Sequence, residues 1–157
     1  MTTTNTYFAE LESIGREFEE RRAAHEAKKQ ETIDTYGWDS EEVKAWYAEK
    51  EAMKFPIPEG ESKAYRAYRM TQIHNSSEFE MEDFLWDREV ADFIGALRKA
   101  GIKTFAYTNQ STAVMENIHA FAAEGCRLEG LCKVTRREQR WGDEEETEYH
   151  GIRFSLD

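Results

Sequence analysis

Several features that would narrow the reading of this chain are scarce or missing. Two prolines in 157 residues exclude a proline-rich linker. No apolar run is long enough to cross a bilayer. The start "MTTTNTYFAELE" has neither a basic n-region nor an apolar h-region, so no signal peptide is expected and the expected compartment is a cytoplasm. The two cysteines, Cys126 and Cys132, fall at even spacing in one predicted strand. On one face of an extended strand they are too far apart for an easy disulfide, and they read as buried free thiols. The phosphate-cradling patterns G-x-x-x-x-G-K-[ST] and G-x-G-x-x-G are absent, as are the G-x-S-x-G elbow, Cys-x-x-Cys and His-x-x-x-His. No cofactor and no metal are therefore expected. His25, His74, His119, His150 and the two cysteines do not space as zinc ligands.

What the chain has is acid and aromatic surface. The formal net charge is −11. Acids outnumber bases 13 to 8 in residues 1–54, 9 to 6 in 55–100 and 10 to 7 in 101–157, so the excess is spread along the chain. A field of this sign repels nucleic acid and anionic membranes and favours a basic protein partner. It also serves plain solubility. Hydrophobic residues at 39% and aromatics at 13% suffice for a core, which argues against wholesale disorder. Tyr36, Trp38, Trp46, Tyr47, Tyr65 and Tyr68 sit on half-polar helical faces, a setting that suits interfaces as well as cores.

The periodicities predict an α+β fold, with an N-terminal helical region over 1–54 and an α+β core over 60–157. Tyr7, Leu11, Ile14 and Phe18 start a first helix whose stripe fades into "EERRAAHEAKKQE", read as solvated. Gly37 ends it. Asp39 or Ser40 caps a second helix, with Val43, Trp46, Tyr47 and Met53 on its apolar side. "FPIPEG" stops that helix. "ESKAYRAYRMTQIHN" reads as a third, through Tyr65, Tyr68, Met70 and Ile73. "SSEFEMEDFL" is a short strand or a loop. "WDREVADFIGALRKAG" is a helix with Trp86, Val90, Phe93, Ile94 and Leu97 in one stripe. The core then runs helix, strand, helix, strand, strand. "STAVMENIHAFAAEG" turns Val114, Met115, Ile118, Phe121 and Ala122 inward. The final strands form an antiparallel hairpin with a long charged loop at "RREQRWGDEEE". Cys126, Leu128, Cys132 and Val134 face one way, and so do His150, Ile152, Phe154 and Leu156.

Two places carry candidate chemistry. The corner "TNQST" runs from a strand into a helix start, where Thr108, Asn109, Ser111 and Thr112 can hold a small ligand or simply cap the helix. Ser111 and His119 lie over two turns apart and make no triad. The second place is acidic. Glu41, Glu42, Trp46 and Tyr47, with Asp143, Glu144, Glu145 and Glu146, can present carboxylates and aromatic anchors to a basic groove. Arg136, Arg137, Arg140 and Trp141 would form a cation–aromatic patch, but the adjoining "DEEE" cancels its charge.

The run from Trp86 to Gly125, with "LRKAGI", "YTNQSTAVMENIH" and the closing "HGIRFSL", resembles a family of small proteins carried on mobile elements and phages of gut Firmicutes. The resemblance covers roughly the C-terminal half. Accessory proteins of such elements include anti-CRISPR proteins, which are small, acidic and non-enzymatic. It implies an inhibitor that binds a Cas nuclease with guide RNA, whose channel is basic because it holds nucleic acid. Direct nucleic-acid or membrane binding is not expected. Two other readings stand beside it: a small enzyme or ligand-binding domain using Thr108 to Thr112, and a mobile-element regulator or assembly factor forming a homodimer through Leu11, Ile14 and Phe18.

Overall fold

A mixed four-stranded sheet in the order β1-β2-β4-β3 organises the C-terminal part. The structure is a computed structural model and describes residues 5–157, the Arg140 side chain excepted. The first four residues of the "MTTTNTYFAELE" start therefore lie outside the described residues. The elements are α1 (Thr6–Ala27), α2 (Lys29–Tyr36), α3 (Glu41–Ala52), α4 (Glu59–Ile73), β1 (Glu80–Met81), α5 (Asp87–Lys99), β2 (Thr104–Tyr107), α6 (Val114–Ala123), β3 (Arg127–Arg140) and β4 (Asp143–Ser155). The architecture is α+β, with N-terminal helices and a C-terminal antiparallel hairpin. No described helix is long and apolar enough to cross a membrane. The chain divides into two compact units, one of Glu10–Ile57 and one of Pro58–Asp157 together with the chain up to Ala9.

The smaller unit is helical. Leu11 and Phe18 are buried, whereas Ile14 between them is 41% exposed. Phe55 meets Phe18 edge-on at 5.3 Å. Ser40 caps α3, its Oγ accepting from the Val43 N–H at 3.2 Å. The second half of α1 is not wholly solvated as its charge suggests. His25 is buried, stacked on Trp46 at 4.6 Å. Its Nε2 lies 3.0 Å from the Trp46 carbonyl, and the Trp46 indole N–H donates to the His25 carbonyl at 2.8 Å. One histidine in a charged run leaves no periodic stripe, so the sequence pattern passes over it.

In the larger unit the core is aromatic. Phe93, Phe105, Phe121 and Phe154 are fully buried, and Phe121 meets Phe105 and Phe154 at 5.2 Å each. Removing one such ring costs about 3–5 kcal/mol. The α5 stripe is Val90, Phe93, Ile94 and Leu97, as the periodicity predicts, but Trp86 leaves it: it is the N-cap residue and is 53% exposed. The packed side of α4 is built from Gly60, Lys63, Ala64 and Ala67, while Ile73 is 63% exposed. A Cβ on Gly60 would fall 2.2 Å from the Glu89 carbonyl oxygen, so the absent side chain is what lets the start of α4 approach α5. Helix α6 begins only at Val114. It buries Phe121 and Asn117, whereas Met115 is 62% exposed and Ala122 is exposed.

The hairpin departs most from expectation. The charged stretch is not a long loop. Strands β3 and β4 pair up to Arg140 and Asp143, and only Trp141 and Gly142 turn. Both have positive φ, 54° and 86°, the geometry that matches the twist of a two-residue hairpin. Opposite charges support it across the strands at Arg137 and Glu146. A bulge between Leu128 and Gly130 inserts Glu129 as an extra residue. It puts Leu128 on the opposite face from Cys132 and Val134, which corrects the single-face reading, since one added residue reverses the alternation. Leu128 is 57% exposed and Val134 fully buried.

Candidate functional site

Arg136 lies at the centre of the most concentrated polar chemistry in the molecule. It stands on the face of β3 that carries Val134, and its partner Glu80 comes from the parallel edge strand β1. Both are nearly fully buried. The guanidinium holds Glu80 in a two-point grip, Nε donating to Oε2 at 2.9 Å and Nη2 to Oε1. Thr108 Oγ1 donates to Glu80 at 2.8 Å and Ser76 Oγ at 3.0 Å. Arg136 also reaches Glu82 at 2.9 Å and Glu138 at 3.8 Å, and lies 3.8 Å over the Tyr149 ring. His74 stands 3.6 Å from Glu138 and 3.8 Å from Glu82.

Burial alone would raise the Glu80 carboxyl, but the hydrogen bonds from Arg136, Thr108 and Ser76 outweigh it and hold the group below the usual carboxylate range. Burial likewise disfavours the Arg136 charge, and Glu80 more than compensates. A second buried pair, Lys63 to Glu89 at 2.7 Å, ties α4 to α5. Glu89 also accepts from the Trp86 backbone N–H at 3.0 Å and caps α5. These are closed networks in which charge is matched by charge. Among the described residues, no three His, Cys, Asp or Glu side chains gather as metal ligands. His150 pairs in register with Lys133, and Cys132 with Gly151, so the histidine and the cysteine face opposite sides. Burial pushes the Cys126 thiol up to about 11.

The "TNQST" side chains are largely engaged in structure. Thr108 serves Glu80. The Asn109 amide donates to the Glu82 carbonyl at 2.9 Å, and its Oδ1 accepts from the Ser111 N–H at 3.0 Å. Ser111 Oγ accepts from the Ala113 N–H at 3.3 Å. Thr112 is exposed and lines a groove of about 520 Å³ with Trp86, Arg88 and Glu116. Behind it, buried Asn117 takes the Leu85 N–H at 3.1 Å and the Tyr107 hydroxyl. Burial, and then the charge of Asp83, raises the Tyr107 phenol above its usual value.

The acidic candidates divide by place. Glu41 and Glu42 are exposed in the first turn of α3, where they favour the positive end of its dipole. Trp46 is not a surface anchor: it is 5% exposed, locked against His25. Tyr47 is 40% exposed and packs edge-on against Trp46 at 5.0 Å. Asp143, Glu144, Glu145 and Glu146 are all exposed at the start of β4. They alternate between the two faces of the ribbon, and Glu145 stands opposite Glu138, a like-charge pairing that costs stability. The cation–aromatic patch does not form, because Arg136 turns inward; the Arg140 side chain is outside the described residues. Trp141 is left at the turn with its whole surface in solvent.

Sequence reasoning passed over the Glu80–Arg136 pair because 56 residues separate its members and each looks like one more charge in a charged chain. The alternation Phe79, Glu80, Met81 was the available signal, since it puts one acid inside a short apolar strand.

Fold and cluster together define a small α+β domain organised on a closed ionic centre. The chain belongs to the family described as Domain of unknown function (DUF7698), whose model matches residues 63–156. No curated protein and no solved structure matches the chain.

Proposed function

We propose that this is a non-enzymatic, acidic protein-binding module, and that its partner is a basic, nucleic-acid-handling enzyme of the Cas nuclease type, which it inhibits. One observation carries the reading: a fully exposed Trp141 at the tip of a ribbon, followed after Gly142 by the four exposed carboxylates Asp143 to Glu146. An aromatic ring left in water and a like-charge pair both cost the isolated chain something, and binding recovers it. The ribbon would enter a basic channel, with Trp141 as anchor and Asp143 to Glu146 taking the place of phosphates. Glu41 and Glu42 offer further charge. The closed Glu80–Arg136 network fits a rigid support for the ribbon, since its donors and acceptors are matched among themselves.

The test is capture of Cas9-type effectors, with and without guide RNA, at two salt concentrations. Salt-sensitive capture and loss of target cleavage support the reading. Absence of both across a panel of effectors overturns the Cas assignment.

A second reading is favoured by the groove beside Thr112: binding of a small ligand at the corner. A thermal-shift screen in which Arg88→Ala abolishes a stabilisation would support it. Dimerisation through the N-terminal helix has less behind it, because Leu11 and Phe18 are already buried in the single chain.

A further inference from the structure

The turn between α2 and α3 carries charge of one sign and two aromatic rings in water. Residues 31–42, "ETIDTYGWDSEE", hold five carboxylates and no lysine, arginine or histidine. Ile33 and Val43 anchor the turn from below, both buried, while Tyr36 is 56% and Trp38 65% exposed. Among the described residues neither ring packs on another ring or meets a cation. Of the five carboxylates Glu41 alone has a cationic partner among the described residues, Lys44 at 3.2 Å. Asp34 takes the neutral Gln30 amide at 2.8 Å. It stands in the last turn of α2, where no base answers it and the helix dipole opposes its charge. Lys29 is directed elsewhere, 5.3 Å from the Trp46 ring and 5.5 Å from Tyr47. The turn itself is tied down. The Gly37 N–H donates to the Ile33 carbonyl at 2.8 Å, and Ser40 Oγ donates to the Gly37 carbonyl at 2.7 Å. The rings and acids are therefore held out on a preformed support, and a partner need not order the backbone to reach them.

We infer that the α2–α3 turn is a docking surface for an arginine-bearing basic segment of a protein partner. The charge selects this occupant. A second copy of the chain would bring the same unmatched acids to the contact, and nucleic acid or an anionic membrane would bring more negative charge. A guanidinium suits both features at once. It lies flat on an indole or phenol face, and it is more weakly hydrated than an ammonium group. Asp39 and Glu42, next to Trp38 in the chain, supply the opposite charge. The surface goes beyond the ribbon reading and does not rest on it. It belongs to the helical unit of Glu10–Ile57, which lies outside the residues 63–156 that the family model matches. A chain with both surfaces can hold a basic partner, or two partners, through separate units.

The experiment is a titration of the full-length, nitrogen-15-labelled chain with a short oligo-arginine peptide at physiological salt, read by amide and indole NMR shifts. The ribbon is silenced in this chain by Asp143→Asn, Glu144→Gln, Glu145→Gln and Glu146→Gln, so that it cannot supply the binding. The expected result is saturable shifts over residues 31–42 and at the Trp38 indole N–H, with the rest of the spectrum unmoved as the check on folding. Trp38→Ala, at a side chain mostly in solvent, should weaken binding about threefold, and Trp38→Tyr should keep most of it. Asp39→Asn with Glu42→Gln should weaken binding and flatten its dependence on salt. No saturable response over residues 31–42 overturns the inference. So does binding that Trp38→Ala leaves unchanged, because the peptide is then held by charge alone. Shifts over residues 31–42 that appear on concentrating the chain without peptide also overturn it, because a second copy is then the occupant.

Discussion

The same two strands, β3 and β4, begin in one environment and end in another. At the Arg136 level each charge is buried, paired and hydrogen-bonded: Glu80 takes bonds from Arg136, Thr108 and Ser76. A few residues further on, Asp143 to Glu146 and Trp141 stand in water. Composition is similar at both levels, arginine and glutamate with one aromatic. What differs is desolvation. A buried charge has to be matched or the fold fails, whereas an exposed one is nearly free to change. The inner half is thus constrained by stability and the outer half is left to other uses.

Breaking the inner half should have the largest effect. Arg136→Met strands the Glu80 carboxylate and should cost about 3–5 kcal/mol in urea unfolding. Replacing both partners with apolar residues should recover much of that loss. An Arg136→Met variant that unfolds like the wild type would remove the contrast between the halves. Next is Gly60→Ala, at the close approach of α4 to α5. With a Cβ 2.2 Å from a carbonyl oxygen, the helices must shift, at about 1–3 kcal/mol, read as a lower urea midpoint.

Acid sharpens the comparison further. Glu80 titrates below its ordinary 4.5 in the folded chain. Its contribution is therefore present above the unfolded value and lost as pH falls through the folded value. In Arg136→Met the carboxylate loses its main partner and gains by protonation instead. The stability gap between wild type and variant should therefore narrow below about pH 4.5, as unfolding measured across pH will show. The smallest expected effect on stability belongs to the outer half. Trp141→Ala should move the unfolding free energy by less than about 0.5 kcal/mol.

Much of this architecture was legible in the sequence. The α5 stripe, the Gly101 and Gly125 stops and the alternation around Phe154 follow from local spacing, and local spacing is what a sequence displays. The α4 surface was not legible, because it packs through Gly60, Ala64 and Ala67, which carry little hydrophobic signal, and not through its tyrosines. Only the outer end of the ribbon, "RREQRWGDEEE", was misread as a loop, because there the strands are held by cross-strand charge and by a Trp–Gly turn, with no apolar face to announce them. At the corner, the residue types fitted a ligand site and a helix start equally, and only the partners of Thr108 and Asn109 separate the two uses. Trp46 fitted a surface anchor until His25, twenty-one residues away, was seen to cover it.

The central claim is that the ribbon tip serves binding and not the fold. The measurement that tests it most directly compares the wild type with one variant, Trp141→Ala with Asp143→Asn, Glu144→Gln, Glu145→Gln and Glu146→Gln. Each is followed for urea unfolding and for capture of a Cas9-type effector in the same buffer. The account predicts unfolding free energies that agree within about 1 kcal/mol and capture that disappears in the variant. A variant that loses several kcal/mol, or one that binds the effector as well as the wild type, would contradict it.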